Sequence, residues 1–156
     1  AANHAFGWER FTFTSDPVGG DGVIHDGAVN AGMPTEHVMV ARPQKAPATD
    51  TGSRILNEIA RKQAKGGKAY ASGKTLVVFV NSGGGQWWPN KVARQLPEPL
   101  DFEMVWVVAL QVGIVGGDYT YAVARLDPSQ RHCPVWIVQI DKSFETWTVR
   151  GPRAAP

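Results

Sequence analysis

Two uninterrupted apolar runs, Leu76–Val80 and Met104–Leu110, constrain this chain more than any other feature. Both are rich in valine, and both are too short for an ordinary helix. Continuous runs of this kind read as strands covered on both faces, the state of central strands in layered α/β domains. The roughly twenty residues between them suffice for a crossover connection with a helix in it. The two runs are therefore expected side by side at the centre of a sheet, joined by a segment that carries Trp87 and Trp88.

The flanking sequence supplies further elements. Residues 6–15, FGWERFTFTS, alternate and are rich in aromatics and threonine, which predicts a strand. Asp16 to Gly22 is turn-rich, Val23–His25 reads as a short strand, and Glu36–Ala41 as another that stops at Pro43. From Gln44 to Gly52 the composition is that of a surface loop. The clearest helix is 53–65, where Ile55, Leu56, Ile59 and Ala60 share a face. Asp50 or Ser53 can cap its start, Glu58 and Lys62 form an i,i+4 pair, and Gly66-Gly67 supplies a stop.

A second, short helix is expected over Lys91–Leu96, capped by Asn90 and ended by Pro97. After a turn at Gly116-Gly117-Asp118 come strands at Tyr119–Leu126 and Val135–Ile140, and a last edge strand or short helix at Phe144–Val149. The order predicts an α/β (α+β) fold. One layered domain over 1–156 would have a mixed central sheet, one main helix, a short second helix and an antiparallel flank, with 1–5 and 151–156 frayed.

Composition sets the outer limits. At 43% hydrophobic and 19% charged residues, 156 residues make an ordinary globular chain able to bury a core. A net charge of +2 does not by itself call for nucleic acid or a membrane, so a basic surface has to come from clustering. No apolar run reaches the length of a membrane span, and no signal peptide is visible. Cys133 is the single cysteine, which excludes an internal disulfide and suits a reducing, cytoplasmic compartment. It reads as a small buried hydrophobe, with a reactive thiol as the competing reading. The first residues, Ala1-Ala2-Asn3, lack a methionine, so a processed form or a piece of something longer is expected.

Three groups of residues carry possible chemistry. The Gly-rich turn at Asn81–Gln86 has the backbone freedom to cradle a phosphate, although it matches neither the P-loop nor the dinucleotide pattern. Trp87 and Trp88 beside Lys91 and Arg94 can stack bases and hold phosphates, and Lys62 and Lys65 extend that set of nucleic-acid-binding candidates. The bland alternatives are packing for the tryptophans and a favourable helix-end charge for the lysines. Asp21, Asp26 and Glu36 sit at strand ends and are the catalytic candidates. A pair such as Asp26 and Glu36 could hold Mg²⁺ with waters completing the shell. Metal-assisted phosphodiester hydrolysis needs that pair and a nearby lysine. His25 and His37 are alternative ligands, but their spacing fits no standard zinc motif. There is no Gly-x-Ser-x-Gly nucleophile elbow.

From about Arg54 to Val149 the chain resembles the C-terminal half of uncharacterised bacterial proteins of the restriction-endonuclease-like, PD-(D/E)XK superfamily. The likeness is carried by the helix Arg54–Lys65, by TLVVFVN in the Lys74–Asn81 strand and by MVWVVAL. It implies an Asp and a Glu-x-Lys on adjacent strands that bind Mg²⁺ and activate water, placed ahead of the helix. This chain departs from that pattern, because Glu36 is followed by His37 and Val38. Either the site is degenerate or its acids lie upstream of Ala1. The expected function is thus Mg²⁺-dependent hydrolysis of nucleic acid, or a relic of it. The alternative is a non-catalytic binding or homo-oligomeric assembly module that uses Trp87-Trp88 and exposed strand edges.

Overall fold

The computed structural model describes residues 1–16, 20–41, 50–81, 86–111, 117–129 and 132–152. It is a mixed α+β fold built on one eight-stranded sheet in which every strand lies beside its neighbours in sequence. The strands are β1 (Phe11–Thr14), β2 (Gly22–Asp26), β3 (Ala31–Val40), β4 (Thr75–Val80), β5 (Met104–Leu110), β6 (Tyr119–Leu126), β7 (Val135–Ile140) and β8 (Trp147–Arg150). β3, β4 and β5 run parallel, and all other neighbours are antiparallel.

The helices explain that division. Parallel neighbours need a crossover, and each of the two crossovers contains helix. α2 (Thr51–Ala64) and α3 (Gly67–Ala71) lie between β3 and β4, and α4 (Pro89–Ala93) lies between β4 and β5. The fourth helix, α1 (Ala2–Phe6), forms at residues where the sequence predicts a frayed end. It is tied to β1 by Asn3, whose side chain accepts from the Phe11 N–H (2.6 Å) and donates to the Phe11 carbonyl (2.8 Å).

The two apolar runs are neighbours, with Val78 opposite Val107. Their faces are not equivalent. Leu76, Val78, Val80, Val105, Val107 and Ala109 are buried against the helices, where they form one cluster with Ile55, Ile59, Val92 and Ala93. Each fully buried aliphatic side chain here contributes roughly 1.5–3 kcal/mol. The opposite phase, with Val77, Phe79, Trp106 and Val108, is only half-buried. The expectation of cover on both faces thus fails on one of them. There the large side chains shield one another and α1 spans only part of the width.

Local capping follows expectation at the start of α2 and differs from it elsewhere. Asp50 is the N-cap of α2 and accepts from the Ser53 N–H (3.2 Å). Glu58 pairs with Arg61 rather than with Lys62, whose side chain turns inward. α4 starts at Pro89 with Trp88 as its N-cap, and Asn90 instead accepts from the buried Cys133 N–H (2.6 Å). Among the described residues, no helix is long and apolar enough to cross a membrane.

Candidate functional site

Strand alternation decides which acids can meet. Asp26 pairs with Ala31, so it shares a face with Met33, Thr35 and His37; Glu36 points to the other face, that of the helices. The expected metal pair Asp26 and Glu36 is therefore split across the sheet. His25 and His37 are split in the same way, His25 on the helix side and His37 between the rings of Phe13 and Phe79.

Asp21 behaves differently. It immediately precedes β2, in the phase of Val23 and His25, and so comes to the same side as Glu36. Its carboxylate accepts from the His37 backbone N–H (2.5 Å) and lies 3.7 Å from Lys62 Nζ. Lys62 Nζ also donates to Glu36 Oε2 (3.2 Å). One ammonium thus stands between two carboxylates, at the end of the sheet where β2 begins.

Glu36 is the centre of this cluster. Besides Lys62 it accepts from Lys74 Nζ (2.8 Å) and from the Tyr70 hydroxyl. Its side chain is only 9% exposed, whereas that of Asp21 is 42% exposed and forms the outer wall. Burial pushes the Glu36 carboxyl up, but the hydrogen bonds from Lys74, Tyr70 and Lys62 outweigh it and hold the group at about 2. Burial, followed by the bond to Glu36, pushes the Tyr70 hydroxyl above its ordinary range. Glu36 is accordingly anionic and Tyr70 a donor at neutral pH. Tyr70 and Lys74 were not legible as site residues. Tyr70 lies on a five-residue helix whose position follows only from the fold, and Lys74 precedes an apolar strand as an ordinary boundary residue would.

The chain matches no family model and no curated protein.

The remaining candidates fall into separate places. Asp26 is held on the far face by Arg10, which donates Nε to Oδ1 (2.8 Å) and Nη2 to Oδ2 (2.6 Å). Those bonds keep its carboxyl below the usual range. Lys65 is exposed, with its ammonium 5.6 Å from the Tyr70 ring centre, so it belongs to the Glu36 end of α2. Lys91 acts on Asp50, the cap at the other end of that helix. Asp50 and Lys62 are twelve helical residues apart, about 18 Å along the axis. The predicted basic set is thus divided: Lys62 and Lys65 lie at the acids, and Lys91 lies by Asp50 at the other end of α2. Trp87 packs on the core and Trp88 is 61% exposed. The Gly-rich turn falls on residues 82–85, outside the described residues.

Among the described residues, no three His, Cys, Asp or Glu side chains gather to hold a metal ion. Two carboxylates are nevertheless enough for Mg²⁺, which keeps several waters. The position of Lys62 Nζ, within reach of both Asp21 and Glu36, marks where a cation meets oxygen from each. A hard dication would take oxygens from Asp21 and Glu36 in competition with Lys62, Tyr70 and Lys74, the donors that Glu36 already accepts from.

Proposed function

We propose that the chain is a restriction-endonuclease-like protein that hydrolyses phosphodiesters of nucleic acid with Mg²⁺, at a site made of Asp21, Glu36 and Lys62. The observation that carries this reading is the convergence of both carboxylates on the Lys62 ammonium. Where the superfamily pattern has a strand lysine this chain has Val38, and Lys62 of α2 is a lysine that reaches both acids. Asp21 and Glu36 would hold the Mg²⁺, which when bound would supply Lewis-acid polarisation and a more acidic water.

The protein groups have distinct tasks. Asp21 is the accessible carboxylate that faces an incoming substrate. Glu36 is the buried one, kept anionic by its three donors. Lys62 neutralises charge that develops on the phosphate. Tyr70 and Lys74 are positioning residues, since they fix the Glu36 carboxylate. Lys65 lies at the same end of α2 and suits a backbone phosphate. Asp26, held by Arg10 on the opposite face, has no part in this reading.

Mg²⁺ titration by calorimetry, with nicking of supercoiled plasmid as the activity readout, tests the proposal. Wild type is expected to bind Mg²⁺ and nick; Asp21→Asn and Lys62→Met are expected to lose nicking at least a hundredfold while retaining the wild-type circular dichroism. No heat and no nicking by the wild type would overturn it, and so would full activity in Asp21→Asn.

A second reading, a non-catalytic assembly module, draws on one observation. Trp88 and, on the edge strands β1 and β8, Phe13 and Trp147 are more than half exposed. Light scattering at high concentration is the check, and a strict monomer removes this reading.

A further inference from the structure

The face of the sheet turned away from α2 and α4 holds a cavity of about 620 Å³, flanked at one side by α1. Met33, Val77, Trp106, Val108, Val123 and Trp136 give it an apolar wall. The indoles of Trp106 and Trp136 lie 5.4 Å apart and 30° from parallel, a broad aromatic floor. A size of this order and a mostly apolar lining with a few polar groups are the ordinary features of small-molecule sites.

Three charged side chains interrupt that lining: Arg10, Asp26 and Arg125. Arg10 and Asp26 neutralise one another through two parallel hydrogen bonds. Arg125 is on this face because it pairs with Trp106 across β5 and β6. Among the described residues, its Nε is buried without a hydrogen-bond partner. Its Nη2 is 3.9 Å from Asp127, which stands outside the lining, and that separation is too long for a hydrogen bond. Arg125 thus has only a long ion pair to Asp127, and its Nε has donor capacity in hand.

We infer that this cavity binds a small amphipathic carboxylate, with its apolar body over Trp106 and Trp136 and its carboxylate on Arg125. A guanidinium and a carboxylate match as planar forks, and the pair gains strength where the surroundings are apolar. A neutral apolar molecule would leave the buried Nε without a hydrogen-bond partner. The site lies on the opposite side of the sheet from Glu36 and stands independently of the hydrolase proposal.

Octanoate and 1-octanol, which share one chain and differ in charge, are suitable probes for calorimetry on the full chain. The wild type is expected to bind octanoate one to one, at least tenfold tighter than 1-octanol. Arg125→Met should abolish that preference, and Arg125→Lys should restore part of it. Val123→Trp, which fills the cavity, should weaken both probes together. Equal affinity of the two probes for the wild type overturns the inference even if the variants fail to fold. A preference that survives in folded Arg125→Met also overturns it. Binding of neither probe, alongside a concentration-dependent dimer in light scattering, assigns the face to a second copy instead.

Discussion

At the scale of single residues, Glu36 shows how far tertiary context decides chemistry. In the sequence it is one acid among several at strand ends, distinguished only by the missing lysine two positions later. In the fold it is the most heavily bonded acid of its cluster, with Lys62, Lys74 and Tyr70 all donating to it. A shift from the ordinary 4.5 to about 2 corresponds to roughly 3 kcal/mol of folded-state stabilisation. The sign follows from which state binds the proton more readily. The folded carboxyl holds its proton more weakly than the unfolded one, so the stabilisation is complete above about 4.5 and is lost as the pH falls towards 2. In urea unfolding, Glu36→Gln should therefore be less stable than wild type by about 3 kcal/mol at pH 7, and the gap should narrow steadily between pH 4.5 and 2. A gap independent of pH would show that the cost lies in packing rather than in charge.

At the scale of elements, the periodic signals were legible and the cross-element ones were not. The helix 53–65 and the strands at 76–80, 104–110, 119–126 and 135–140 were readable because each is dictated by its own apolar pattern, and each forms within a few residues of its expected limits. Which acids share a face was not readable. It depends on the unbroken register of β2, β3 and β4, and a displacement of one residue would exchange every facing. Helix α1 gave no signal either, since its five residues are held by Asn3 and Phe6 through contacts with β1. The partnership of Lys62 was misread for a related reason: its i,i+4 neighbour Glu58 is local, whereas Glu36 is twenty-six residues away in sequence. The same distinction separates strong from weak points of α2. Ile59 is fully buried in the helix–sheet cluster. Ile59→Ala should cost about 2–5 kcal/mol in chemical denaturation, because the sheet behind it cannot collapse into the space. Ala60→Gly on the exposed side of the same turn should cost about 1 kcal/mol. Similar losses for the two would mean that α2 is not anchored through its apolar face.

At the scale of the whole molecule, the sheet separates two surfaces with different chemistry. Carboxylates and lysines gather at one end of the helix-covered side, and the apolar cavity with Arg125 lies behind it. What joins the two sides is the parallel centre, whose side chains contribute to both. On β4, Val78 is buried under the helices while Val77 lines the cavity. Stability should therefore be graded across the sheet, because β4 and β5 are covered by helix and paired on both edges, whereas β1 and β8 each have one partner strand among the described residues. Hydrogen exchange monitored by NMR should find the slowest amides in Leu76–Val80 and Val105–Ala109, opening only with global unfolding. Those of Trp147–Arg150 should exchange faster by several orders of magnitude, through local fraying of an edge that is exposed in most of its residues. Octanoate in the cavity should slow exchange at β5, β6 and β7 and leave β1 and β8 nearly unchanged, since Trp106, Val123 and Trp136 are on the protected strands. Uniform protection from β1 to β8 would mean that the sheet opens as one unit, and that burial under the helices does not set the order in which its strands come apart.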